Sequence, residues 1–224
     1  MAGYLGNIPS AVPLTSADIA DSIITSAKIA NGTIAIADFS ATGTKDATTF
    51  FRGDNTFATV GGGILQVKKT LITSTISTTI SHTSYTDVSG FSVSITPTAS
   101  NSVILLLGMI NSSSVTDGAN RIRYKLLRGS TDITVPDSFG SRQTGFYAPE
   151  YDTDGYEPSN GSLIWWDTPA TTSSTTYKLQ AITNYASGTQ VAYINRSHSP
   201  DGDNLDNART VSSIVAIEIS NSIL

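Results

Sequence analysis

The sequence predicts an all-β protein, and three observations point to this class. Charged residues make up 14% of the 224 residues, against about 25% in an ordinary soluble domain. The abundance of serine and threonine favours pleated sheets with wet outer faces over helix bundles. The 18 glycines and 8 prolines suit the turns that many short strands require.

Short alternating stretches mark individual strands in the C-terminal part of the chain. A strand that is buried on one face alternates apolar and polar residues, so each apolar set is expected to face a core. The apolar sets are Phe91, Val93 and Ile95; Ile122, Tyr124 and Leu126; and, less regularly, Val215, Ile217 and Ile219.

One predicted strand is apolar on both faces. Residues Val103–Leu107 contain no polar side chain, which is typical of a strand covered on both sides, for example by a neighbouring subunit. Further strand candidates are Ile64–Ile72, Leu163–Trp166, Thr176–Thr183 and Gln190–Asn195. Eight to ten strands over residues 64–224 fit a jelly-roll β-sandwich head of two sheets.

Residues 1–60 follow a different pattern. Large apolar residues recur every five positions, and 15–24 and 25–34 repeat each other with six of ten positions identical. A period of five suits neither one helix nor one strand; it suits a ladder of short elements, or one or two helical turns over 16–30 capped by Ser16 or Thr25. The series is Leu14, Ile19, Ile24, Ile29, Ile34 and Phe39.

This segment predicts an oligomerisation stalk. A thin segment cannot bury six large apolar side chains within its own chain, and without cysteine or a metal site, partner chains are the remaining means. The alternative is a low-complexity linker with an accidental period. Three consecutive glycines at 61–63 indicate a hinge and a domain border between the stalk, 1–60, and the head, 64–224.

Several stretches resemble phage fibre proteins. GYLGNIP (3–9) is similar to the start of phage tail or fibre proteins, and TTFFRGDNTFATV (48–60) to a segment that precedes tail-fibre heads. Residues 85–97, 167–180 and 210–219 resemble the C-terminal heads of marine phage fibres, which are similar to the trimeric C1q/TNF-like jelly roll.

The resemblance implies a homotrimeric component of the virion, made in the cytoplasm of a host bacterium. Its N-terminus would dock on other phage tail or capsid proteins, and its head would bind a glycan or protein receptor on the host surface. A tail fibre, a tail-tip protein and a capsid-decorating spike without receptor binding all fit this resemblance.

Charge and composition argue against other classes of partner. The net charge of −5 and the pI of about 4.8 disfavour nucleic acid, which needs a basic footprint. No disulfide scaffold is available because the chain has no cysteine. The longest apolar run, Val103–Leu107, is too short to insert into a membrane.

Catalytic and metal-binding signals are weak, and we expect no enzymatic activity and no obligatory cofactor. Asp152, Asp154 and Glu157 could pair as in a polysaccharide depolymerase, but they lie in a polar, turn-rich stretch. Calcium is a minor hypothesis, because carboxylates spaced by two residues around glycine suit hard cations. Its candidate ligands are Asp152, Asp154, Asp201 and Asp203.

An aromatic stretch over residues 136–161 is the candidate receptor site. Tyrosine rings beside carboxylates and amides can stack on sugars and bind their hydroxyls; packing over the end of the sandwich is the competing interpretation. Trp165 and Trp166 must face opposite sides of a strand, so one is expected in the core. The receptor candidates are Phe139, Phe146, Tyr147, Tyr151, Tyr156 and Trp166.

Overall fold

The chain forms β-structure in two compact units, Met1–Val60 and Gly61–Leu224. The structure, a computed structural model, describes residues 25, 29–38, 40–59, 63–113, 122–137, 140–149, 158–185, 188–198 and 207–221. Within these ranges the strands pair antiparallel and a 3₁₀ helix spans Ile36–Asp38. The described part of the protein is therefore all-β, and it contains no helix long and apolar enough to cross a membrane.

The N-terminal unit contains a β-hairpin. Strand β1, Thr49–Phe51, pairs with β2, Phe57–Thr59, and the rings of Phe51 and Phe57 lie 5.4 Å apart. The connecting turn holds Arg52–Asp54 and closes with Asn55 at a φ of 61°. Residues Arg52–Asp54 thus occupy a tight turn, and Asn55 tolerates the left-handed conformation that closes it.

Ten strands lie in the described residues of the C-terminal unit. Most connections between them are short, but those from β8 to β9 and from β11 to β12 are long. The strands are β3 Ile64–Ile72, β4 Ile76–Ile80, β5 Thr86–Ile95, β6 Val103–Ser113, β7 Ile122–Arg128, β8 Thr131–Asp132, β9 Ser159–Asp167, β10 Thr175–Thr183, β11 Gln190–Ile194 and β12 Ser212–Ile219.

These strands form two sheets. In the first sheet, β6 pairs with β12 along one edge and with β9 along the other, and β3 lies outside β12. The last residues of β6 pair with β11, which pairs with β4. The second sheet has the order β5-β10-β7-β8.

Both sheets contribute to one buried cluster, an arrangement compatible with a β-sandwich. Phe91, Tyr124 and Tyr177 are the largest fully buried side chains of the second sheet. The first sheet contributes buried aliphatic residues, among them Ile104 and Leu106. The two predicted apolar sets on β5 and β7 are confirmed as core residues.

Of the apolar set predicted for β12, Ile219 is buried as expected, but Val215 and Ile217 point away from the core. Ile214, Ala216 and Glu218 are fully buried, whereas Val215 and Ile217 lie half-buried on the outer side of the sheet. The correction has a physical reason: the carboxylate of Glu218 is satisfied inside by hydrogen bonds, so polarity does not decide which face is covered.

The carboxylate of Asp167 joins the two sheets. Asp167, at the end of β9, accepts hydrogen bonds from Arg128 Nη1 and from the Tyr177 hydroxyl, both at 2.7 Å. Burial, together with the adjacent Asp167 carboxylate, raises the pKa of Tyr177 far above its usual range. The phenol therefore stays protonated and donates to Asp167 across the working pH range.

Glu218 connects β12 to its neighbours inside the first sheet. One carboxylate oxygen accepts from Ser102 Oγ at 2.6 Å and from Thr98 N and Oγ1 at 2.7 Å. The other accepts from Gln66 Nε2 at 2.6 Å. Burial alone would raise the pKa of Glu218, but these hydrogen bonds outweigh it and lower the pKa to about 2.

We predict that Glu218→Gln destabilises the protein by roughly 2 to 4 kcal/mol at neutral pH, because the amide cannot accept all four donors. Because the pKa of Glu218 is lowered in the folded state, its carboxylate stabilises the fold at pH values above its ordinary pKa of 4.5. This contribution fades as the pH falls toward 2. Denaturant unfolding between about pH 7 and pH 2 should therefore show the gap between wild type and variant closing in acid.

Asp87→Asn is the matched control, because the contacts of this exposed carboxylate, with Lys178 and Gln180, lie on the surface. Its effect should stay below about 1 kcal/mol. A Glu218→Gln gap that stays constant down to pH 2 would contradict the assigned role of the carboxylate.

Candidate functional site

The outer side of the first sheet carries a continuous apolar surface, here called the apolar outer face. Residues directly opposite each other on paired strands point to the same side of a sheet. Leu105 lies opposite Ile217 on β12 and Trp166 on β9, and the next row joins Leu107 to neighbours on the same strands. The face comprises Val67, Leu71, Leu105, Leu107, Met109, Ile164, Trp166, Val215 and Ile217.

This surface is open to solvent in the single chain. Ile164 is 67% exposed, and Leu71 and Val67 at the opposite margin are also exposed. Soluble monomers rarely leave contiguous apolar patches beyond a few hundred Å² uncovered. At about 25 cal/mol per Å² of apolar area, covering this face would release substantial free energy, so it is a candidate interaction surface.

Charge is nearly absent from these rows. Of the described residues that share them, Lys69 is the charged one, and the polar members are Ser162 and Ser213. Depletion of charge is the compositional mark of the core of an interface.

The second sheet has an outer side of opposite character. Lys178 Nζ and Gln180 Nε2 both donate to the Asp87 carboxylate, at 2.6 and 2.7 Å, and these hydrogen bonds lower the pKa of Asp87. Ser94 and Thr176 hydroxyls lie 2.7 Å apart on the neighbouring strands. Polar groups that are satisfied in this way need no further partner.

The tryptophan pair differs from the prediction that one ring is in the core. Trp165 is 36% and Trp166 52% exposed. β9 pairs only with β6 among the described strands, so the Trp165 ring lies at a sheet margin and is incompletely covered. Trp166 belongs to the apolar outer face.

Two of the predicted receptor aromatics pack on the core. The ring of Tyr147 stacks on Tyr124 with 5.8 Å between centroids and 17° between planes, and its hydroxyl donates to the Ser159 carbonyl at 3.0 Å. Phe146 also packs against the core cluster. These contacts favour the packing interpretation for both rings; Phe139, Tyr151 and Tyr156 lie outside the described residues.

Gly161 creates the space that Tyr147 occupies, and sequence reasoning missed it. A Cβ atom at position 161 would lie 2.5 Å from the Tyr147 ring. The signal was available in principle, since glycine inside a strand often marks a close approach, but its partner could not be named from sequence.

The described stalk residues are solvent-exposed. Ile29 is 39% and Ile34 54% exposed, and with Ala30, Asn31 and Gly32 they line a shallow hollow of about 310 Å³. Apolar side chains that are exposed to solvent in the single chain are what the stalk hypothesis requires. The remaining members of the series, Leu14, Ile19, Ile24 and Phe39, lie outside the described residues.

The structure does not describe the candidate calcium ligands. Asp152, Asp154, Asp201 and Asp203 are all outside the described residues, as is Glu157. Within the ranges that the structure describes, no three acidic or histidine side chains gather as metal ligands. Calcium binding therefore stays a prediction.

Comparison with known proteins adds no relative from which a role could be transferred. No protein-family model matches the chain, and no curated protein matches its sequence.

Proposed function

We propose that this chain is the subunit of a homotrimeric phage fibre or spike, whose head binds a receptor on the host surface. The observation that carries the assembly part is the apolar outer face. Its central residues, Leu105 and Ile217, are already half-covered by their neighbours, and a partner surface would complete their burial.

Copies of the same chain are the partner that best explains both units. The apolar outer face lies in the C-terminal unit, and the exposed isoleucines 29 and 34 lie in the N-terminal unit. Self-association covers both at once, whereas two unrelated partners would each cover one. Interfaces between identical subunits are also the more apolar kind.

The strand order supports a jelly-roll head. Leaving aside β4 and β11, the other eight strands pair first with last, β3 with β12, then β5 with β10, β6 with β9 and β7 with β8. This nesting is what results when one long antiparallel ribbon is wrapped into two Greek keys.

The virion assignment and the trimeric state rest on the resemblance of residues 3–9, 48–60 and the head segments to phage fibres. In such an assembly three equivalent heads act together, so weak contacts to a repeating surface glycan gain orders of magnitude in avidity. Interlocked β-structure also resists unfolding outside a cell.

A capsid-decorating or tail-tip spike without receptor binding is the second candidate. The stacking of Tyr147 on Tyr124 favours it, because aromatics used for packing are not available to a receptor. Cryo-electron microscopy of the parent particle separates the two. Density on the tail with the head outermost supports host recognition, and density on the capsid shell supports the spike.

We predict that light scattering on the purified chain gives three times the subunit mass of 23.5 kDa, about 70 kDa. Val67→Glu combined with Ile164→Glu should lower this mass toward the monomer, because six buried carboxylates would oppose assembly. Circular dichroism should show the strand content unchanged, since both positions are exposed in the single chain.

Val135→Glu is the matched control. Val135 is 67% exposed, as Ile164 is, but it lies outside the rows of the apolar outer face. The oligomer mass of this variant should equal that of the wild-type protein. A wild-type mass near 23.5 kDa would refute the oligomeric fibre.

A separate prediction concerns the stalk. Ile29→Asp combined with Ile34→Asp should shift subunit dissociation to higher protein concentration, because charged groups cannot be buried at a shared axis without a partner. Thr25→Asp, an exposed position outside the five-residue series, should leave the concentration dependence of the mass unaltered. Equal behaviour of the two variants would contradict the role of the apolar period.

A further inference from the structure

An open cleft lies where three strand ends meet the connection between β8 and β9. Its volume is about 660 Å³, within the range of small-ligand sites. His82 follows β4, Arg123 lies on β7 and Asn184 follows β10, while the connection supplies residues 141–143. Four separate parts of the chain therefore converge on one cavity.

The described part of the cleft wall is cationic and polar. The described residues that line it are His82, Arg123, Ser141, Arg142, Gln143 and Asn184. These six include two guanidinium groups and no carboxylate, in a chain whose net charge is −5. A guanidinium group carries five N–H donors in a fixed fork that matches carboxylate and phosphate oxygens, so one arginine can contact protein groups and an anionic ligand together.

Hydrogen bonds fix the connection over the cleft. Gln143 Nε2 donates to the carbonyls of Thr183 at 2.8 Å and of His82 at 3.4 Å. The backbone of the connection pairs with β7, with Phe146 N and Tyr124 N donating to Tyr124 O and Tyr147 O, at 2.9 and 2.8 Å. The cleft is thus a built feature of the head.

The side-chain oxygen of Gln143 lacks a hydrogen-bond donor. Because Gln143 Nε2 faces two carbonyls, its Oε1 must point the other way, where it is buried without a hydrogen-bond donor. A buried acceptor without a donor is costly. This oxygen is too deeply buried to meet a ligand, so the neutral groups of the wall that suit sugar hydroxyls belong to Ser141 and Asn184.

The cleft also stays clear of the apolar outer face. Tyr124 points into the core, so its neighbour Arg123 points to the outer side of the second sheet. The apolar outer face belongs to the first sheet. Covering that face by partner chains would leave the cleft open.

We propose that this cleft binds an acidic saccharide, with the anionic group held by Arg123 and Arg142 and sugar hydroxyls held by the neutral polar wall. This inference rests on the proposed receptor-binding function and specifies its ligand class. The shared chemistry is an anionic group on a sugar, which surface polysaccharides present as a uronic acid carboxylate or as a phosphate.

Calorimetric titration of the full-length chain tests the proposal. The probes are a galacturonic acid trimer with its neutral galactose counterpart, and mannose 6-phosphate with mannose. We expect at least one anionic probe to bind and its neutral counterpart to bind at least about tenfold more weakly. Affinity should fall as ionic strength rises from about 0.05 to 0.5 M. The preferred anionic probe identifies carboxylate or phosphate.

Arg123→Gln combined with Arg142→Gln should weaken anionic binding at least about tenfold. Arg52→Gln combined with Lys68→Gln removes the same charge from exposed positions and should change nothing. No anionic binding at millimolar concentration, equal binding of charged and neutral sugars, or an unaffected cleft variant would each overturn the proposal.

Failure of this inference can be told apart from failure of the fibre proposal. Oligomer mass and adsorption of the labelled chain to host cells are measured on the same preparations. A wild-type oligomer that adsorbs to cells but binds no acidic sugar removes the cleft assignment alone. A monomer that adsorbs to no cells removes the fibre proposal itself.

Discussion

Strand β6 is apolar on both sides over Val103–Leu107, and this constraint organises the molecule. Its inner residues, Ile104, Leu106 and Ile110, are fully buried in the core, while its outer residues Leu105 and Leu107 are only half-buried. Apolar area left in water costs free energy in proportion to its extent. A strand of this composition is therefore stabilised on one side by folding, and we propose that association with partner chains stabilises it on the other. The apolar outer face follows from the same sequence that builds the core.

Both carboxylates that lie buried among the described residues are hydrogen-bonded. Asp167 is held by one cation and one phenol, whereas Glu218 has three neutral donor residues, Ser102, Thr98 and Gln66. Each carboxylate joins elements that are distant in the chain, so it specifies which parts meet. Hydrogen bonds from neutral donors respond little to salt screening, so the contacts of Glu218 should keep their strength at high ionic strength.

Local sequence patterns predicted the strands well, but they did not indicate which strands pair. β3 was predicted with the bounds Ile64–Ile72 that the structure shows, because alternation and turn residues are short-range signals. The buried face of β12 was misjudged because Glu218 looks solvated until Gln66, 152 residues away, is placed beside it. The cleft was missed for the same reason, since His82, Arg123 and Arg142 meet only through the sheet topology.

The two sheets present very different outer surfaces, one apolar and one made of satisfied polar groups such as the Asp87–Lys178 pair. Substitutions on the polar surface cost little stability, and they leave the apolar outer face unchanged. A lineage of such proteins could therefore exchange the residues around the cleft freely while its assembly stayed constant. Recognition and architecture would then evolve at separate rates within one small domain.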